Sequence, residues 1–84
     1  MTKEIFTIKS TAGLHASLAS KIVQVASKYP VDINLVYKDK VVDLKSILGL
    51  MSLSIPSGTD VVLEVSGSKA NEALADLKTV FETE

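Results

Sequence analysis

Residues 31 to 44 constrain the fold of this chain more than any other stretch. Val31, Ile33, Leu35 and Tyr37 alternate with Asp32, Asn34 and Val36, the period of a half-buried strand. Lys38-Asp39-Lys40 is a short polar turn, and Val41-Val42-Asp43-Leu44 is the returning strand, so the two form a hairpin. On both sides of this hairpin the apolar period becomes helical. Upstream, Ala19, Ile22, Val23 and Ala26 fall at i, i+3, i+4 and i+7, which predicts a helix from about Ala16 to Lys28 with one buried stripe. Pro30 stops it, because Tyr29 before a proline is pushed out of the α region. Downstream, Ser46 caps a short helix carrying Ile47, Leu50 and Met51.

The flanks complete the pattern. Lys3 to Ile8 reads as a strand with Phe6 and Ile8 on one face, broken by Thr11-Ala12-Gly13. Pro56-Ser57-Gly58 is a turn, and Asp60 to Val65 is a strand with Val61, Leu63 and Val65 on one face. Ser68 is expected to cap a last helix with Ala70, Ala73, Leu74, Leu77 and Phe81 as its stripe. The order is β-α-β-β-α-β-α. It predicts a single α+β domain over residues 1–84, a two-layer open-faced sandwich with three helices on one sheet face.

Composition excludes several classes. An 84-residue domain buries only about 60% or slightly more of its unfolded surface, so its apolar residues must share one core. Nine basic and ten acidic residues give a net charge of -1, with no basic field for nucleic acid and no polybasic patch for a membrane. With no cysteine there is no disulfide, thiol nucleophile or Cys-based zinc site, and the single His15 leaves metal binding poorly supported. No metal or cofactor is expected. No apolar run approaches the ~18 residues of a membrane span. MTKEIFTIKS has no signal-peptide pattern, so a cytoplasmic protein is the expectation.

The chemistry gathers at two helix starts. His15, the only histidine, stands where the loop becomes the first helix. Its plain reading is an exposed loop residue or a helix cap. Its chemical reading follows from position. A helix N-terminus has free N–H groups and partial positive charge, which favours a neutral, nucleophilic imidazole and a bound anion such as a phosphoryl group. An imidazole there can accept a phosphoryl group and pass it on without a deep pocket. Ser46 is the second candidate, as a plain N-cap or as a phosphorylation site beside the apolar patch of Ile47, Leu48 and Met51. Three apolar side chains on so short a helix do not all face inward.

These residues carry a resemblance. Gly13-Leu14-His15-Ala16, Val25-Ala26-Ser27-Lys28-Tyr29, and the run from Leu44 through Lys45-Ser46-Ile47-Leu48-Gly49-Leu50-Met51-Ser52 to Leu53 resemble HPr. HPr is the histidine-containing phosphocarrier family of the bacterial phosphoenolpyruvate:sugar phosphotransferase system. The resemblance covers nearly the whole chain. It implies a four-stranded antiparallel sheet of order 1-4-2-3. It implies that His15 accepts a phosphoryl group on Nδ1 from phosphorylated enzyme I and donates it to sugar-specific enzyme IIA domains, as a carrier rather than a stand-alone enzyme. Ile47, Leu48 and Met51 would contact both partners. The Lys45-Ser46-Ile47 context looks like a regulatory serine, modified by an HPr kinase/phosphorylase so that the modified form joins a catabolite control protein.

Where the family has Ala-Arg-Pro-Ala after the histidine, this chain has Ala16-Ser17-Leu18-Ala19. The anion site is then the backbone N–H groups of Ala16 and Ser17 with the Ser17 hydroxyl. A charge-assisted hydrogen bond contributes roughly 1.5–3 kcal/mol against about 0.5–1.5 for a neutral one. Loss of the arginine would slow transfer by roughly one order of magnitude if that bond is made mainly in the transition state. Lys21, one turn on, is a candidate to reach back toward phosphorylated His15, against the plain reading of a solvated lysine. Leu18 would present an extra apolar side chain near His15, and Ser54 stands where the family usually has glycine, so both join the expected partner surface. A monomer is expected, with weak self-association through Leu18 and Leu48 as the alternative. Two functions follow: a working phosphocarrier on His15, or a regulatory HPr-like module in which Ser46 phosphorylation is the live chemistry and His15 transfer is weak or lost.

Overall fold

The computed structural model describes residues 1–83. Its elements run β1 (Thr2–Thr7), α1 (Ala16–Ala26), β2 (Ile33–Tyr37), β3 (Lys40–Asp43), α2 (Ile47–Met51), β4 (Asp60–Val65) and α3 (Ala70–Thr83). The four strands form one sheet of order β1-β4-β2-β3. β4 pairs antiparallel with both β1 and β2, so those two strands run the same way on either side of it, linked by α1. β3 completes the sheet by its hairpin with β2.

Alternation decides which face is covered. Phe6, Ile33, Leu35, Val61, Leu63 and Val65 are buried against Ile22, Leu50 and Leu77 of the three helices. Phe6 and Phe81 meet with ring centroids 4.9 Å apart and planes tilted by 57°, which locks α3 onto β1. The other face is open to solvent. There Ile5 pairs across to Val62, Val62 to Val36, and Val36 to Val41, with Ile5 67% and Val41 59% exposed. Lys3 and Glu64, directly opposite in the register, form an ion pair of 3.4 Å on that face.

Element boundaries differ from the sequence reading in small ways with local causes. α1 ends at Ala26, and residues 27 to 29 continue as turn hydrogen bonds from Lys28 to Val25 and from Tyr29 to Ala26. Val31 and Asp32 precede β2 instead of opening it. Lys40 belongs to β3, because the hairpin turn is only Lys38-Asp39, with Lys38 at φ 57°. The bond that opens α3 runs from Ala73 N–H to the Lys69 carbonyl, so Lys69 and not Ser68 occupies the cap position.

Candidate functional site

The turn before α1 is fixed from below. Gly13 sits at φ 71°, in the left-handed region, and donates to the Ser10 carbonyl at 3.0 Å. A Cβ built there would lie 2.5 Å from the Ile55 carbonyl oxygen and 3.2 Å from Pro56 Cα. That close approach lets Leu14 donate to Ile55 O at 2.9 Å, with the Leu14 side chain buried. The turn leading to His15 is therefore pressed against the segment that follows α2.

His15 is the N-cap of α1, in extended backbone conformation at φ -99° and ψ 174°. Its carbonyl accepts from Ala19 N–H at 2.9 Å, and its ring Nδ1 accepts from Leu18 N–H at 3.0 Å. A backbone N–H can only donate, so Nδ1 presents its lone pair and the proton of the neutral ring lies on Nε2. The ring is half-buried, and Ala16 and Ser17 beside it are exposed. No acidic residue stands in the first turn to repel an anion. Lys21, exposed one turn further on, is the only basic residue of α1.

Leu18 corrects an expectation. It is 1% exposed, so it offers no surface to a partner or to a second copy. The reason is helical phase: Leu18 stands one turn before Ile22 on the inward stripe that also holds Ala19 and Ala26. On sequence alone Leu18 reads as a surface residue in place of a proline. That reading lacks both the buried side chain and the N–H that the replacement brings. The second signal was legible, since a cap bonds the N–H of the third helical residue and only a non-proline has one.

The start of α2 repeats the arrangement. Ser46 is its N-cap, at φ -111° and ψ 110°, and its Oγ accepts from Gly49 N–H at 3.1 Å. Gly49 keeps close to that hydroxyl; a Cβ on it would lie 3.3 Å from Ser46 Oγ. Leu50 points inward and is fully buried, while Leu48 is 83% exposed and Ile47 and Met51 are about 40% exposed (42% and 38%). Ser54 is exposed at φ 52°, a conformation that favours glycine, which is the residue the family resemblance places there. Lys45 Nζ donates to the Tyr29 carbonyl at 2.8 Å and so ties the start of α2 to the end of the α1 segment. Tyr29 donates its hydroxyl to Asp76 of α3. That hydrogen bond, then desolvation and the negative charges of Asp76 and Glu72, push its phenol up to about 12.

One shallow cavity of about 290 Å³ lies between Pro30, Asp32, Lys45 and Gly67, and another of about 150 Å³ between β1 and α3; neither includes His15 or Ser46. Among the described residues, no three His, Asp or Glu side chains gather as metal ligands, and no helix is long and apolar enough to cross a membrane. What the geometry offers is an accessible imidazole and an accessible hydroxyl, each at a helix start with N–H donors around it.

Known proteins share this fold. The family model described as the PTS HPr component phosphorylation site matches residues 2–83. HPr-C-His from Thermoanaerobacter tengcongensis is 37% identical, with 99% of this chain and 93% of that chain covered and a TM-score of 0.93. The phosphocarrier protein HPr from Bacillus anthracis is 34% identical, with 95% of each chain covered and a TM-score of 0.88. The Bacillus subtilis catabolite repression protein Crh, crystallised as a swapped dimer, is 36% identical, with 100% of this chain and 97% of that chain covered and a TM-score of 0.78. With the family model matching almost end to end and these folds superimposing, the chain belongs to the HPr family of phosphocarrier proteins.

Proposed function

We propose that this chain relays a phosphoryl group on His15, taking it from phosphorylated enzyme I and passing it to sugar-specific enzyme IIA domains in the cytoplasm. The observation that carries this reading is the imidazole at the N-cap of α1, with Ala16 and Ser17 exposed at the helix start beside it. N–H groups in that turn have no acceptor within the helix and suit the phosphoryl oxygens. The Ser17 hydroxyl adds a donor, and Lys21 supplies the positive charge of α1 where the family arginine is missing. Ile47, Leu48 and Met51, with Ser54, form the face on which both partners dock. Incubation with phosphoenolpyruvate and enzyme I tests the relay. Acid-labile phosphate that disappears in His15→Ala supports it, and its absence from the parent chain refutes it. Lys21→Ala should shorten the phosphohistidine lifetime; an unchanged rate and lifetime remove Lys21 from the site.

A second reading has its own support. The α2 start is intact, with Ser46 Oγ capping the helix and three apolar side chains exposed beside it, whereas beside His15 Ser17 stands in place of the family arginine. The similarity to Crh points the same way. In this reading a bifunctional HPr kinase/phosphorylase modifies Ser46, and the modified face, with its added charge beside Leu48, binds a catabolite control protein. Acid-stable phosphate formed with a serine kinase and ATP, without label from enzyme I, selects it.

A further inference from the structure

The cap bond of α1 and the chemistry assigned to His15 need the same electron pair. A neutral imidazole has one in-plane lone pair, on the nitrogen without a proton. Here that nitrogen is Nδ1, and its lone pair points at Leu18 N–H, 3.0 Å away. A phosphorus atom bonded along that direction would overlap the Leu18 amide. Attack through Nε2 offers no escape. It needs the other tautomer, in which Nδ1–H would face Leu18 N–H, donor against donor.

We propose that the Leu18 amide gates phosphoryl acceptance at His15, so that the imidazole must turn out of the α1 cap before Nδ1 can react. The proposal deepens the phosphoryl-relay reading and rests on it for the identity of the reaction. Leu18 acts as a positioning residue through its backbone. Its buried side chain fixes the amide in place, because Leu18 is 1% exposed and packs with Ile22 on the core stripe. Once released, the Nδ1 lone pair forms the new N–P bond. The donor's P–N bond breaks with its electron pair left on the donor nitrogen. That nitrogen takes up, through solvent, the proton that Nε2 gives up. A proline at this position would supply no gate, since it has no N–H.

The test separates the gate from the relay by using a small donor. The chain is reacted with phosphoramidate, and acid-labile phosphate on His15 is followed with time. Chemical ligation supplies a version in which the Leu18 amide is an ester, which deletes the N–H and keeps the buried side chain. The same ester at Ile22 controls for a weakened helix. The Leu18 ester should react roughly threefold to tenfold faster than the parent, the equivalent of losing one neutral hydrogen bond to the nucleophile, and the Ile22 ester should not. Equal rates at Leu18, or no reaction in either chain, overturn the gate. Should the Leu18 ester fail to fold, nitrogen-15 NMR of the parent chain decides. Phosphorylation must abolish the coupling between Leu18 N–H and Nδ1, and a phosphohistidine that retains it overturns the proposal. A parent chain labelled by phosphoramidate but not by phosphorylated enzyme I would sink the relay and leave the gate standing. The reverse pattern, labelling by enzyme I with no acceleration in the ester, would sink the gate alone.

Discussion

His15 and Ser46 stand at the starts of α1 and α2 in the same extended backbone conformation, and each caps its helix with the atom that would carry a phosphoryl group. Nδ1 accepts from Leu18 N–H, and Ser46 Oγ accepts from Gly49 N–H, each three residues on. The difference lies in the acceptors. A hydroxyl oxygen has two lone pairs and can keep its cap bond with one while the other attacks. The imidazole nitrogen has one. Capping and phosphorylation are thus compatible at Ser46 and exclusive at His15. A shared local structure would then give the two starts different readiness as phosphoryl acceptors, by atom type alone.

The largest effect expected is all-or-none and tests which start is live. His15→Ala should abolish acid-labile phosphate from enzyme I while leaving any acid-stable phosphate on Ser46 in place, and Ser46→Ala should do the opposite. Mass spectrometry before and after acid treatment reads both. A variant that loses both labels would show that the two sites are one cooperative unit, which breaks the comparison.

Gly13→Ala comes next. The new Cβ would meet the Ile55 carbonyl oxygen at 2.5 Å, and the residue sits at φ 71°. Strain of this kind costs about 2–3 kcal/mol, visible as a lower urea midpoint with an unchanged slope. The loss should come with slower labelling of His15, because the turn that presents the ring rests on this contact. A drop in stability with no change in labelling would mean that the ring's position does not depend on Gly13.

Much of this was legible beforehand. Period-two alternation in residues 33–37 and 60–65 fixed which faces meet the helices, since a one-residue slip would put Leu35 or Leu63 in water. His15 and Ser46 were both legible as helix starts from position and residue type. Leu18 was not placed correctly. A stripe that begins at Ala19 leaves out Leu18, although Leu18 lies one turn before Ile22 and shares the same phase. The conflict over Nδ1 is hidden in a sequence, where cap and nucleophile read as alternatives. Only the position of the ring shows that the cap uses the atom the proposed relay would phosphorylate.

The exposed α2 side chains separate docking from folding. Leu48 is 83% exposed, so Leu48→Asp should leave stability within about 0.5 kcal/mol. The same change should slow phosphoryl transfer from enzyme I about tenfold, the effect of removing a modest interface contact. Labelling by phosphoramidate should not change. Slowing with the small donor as well would place Leu48 in the His15 site instead of on a docking face. A smaller effect is expected from Ser46→Ala, which deletes the cap bond to Gly49 N–H and should cost about 1 kcal/mol. Ser46→Asn should restore most of it in thermal melts, and failure to do so would deny the cap its share.

The smallest effect concerns Gly49, the counterpart of Gly13. Its φ is ordinary, so alanine is allowed there, and replacing a helical glycine gains roughly 0.5–1 kcal/mol. The added Cβ would lie 3.3 Å from Ser46 Oγ, a contact that pushes the hydroxyl by a few tenths of an ångström. The two terms oppose, and the net change in stability should stay within about 0.5 kcal/mol. The displacement itself should be readable, as a weaker cap bond at residue 49 in amide exchange and slower phosphorylation by a serine kinase. An alanine variant that is clearly stabilised, with unchanged exchange and kinase rate, would show that the Ser46 turn has slack. Gly13→Ala would then mark the His15 turn as the only rigid one, and the likeness of the two helix starts would end at their hydrogen bonds.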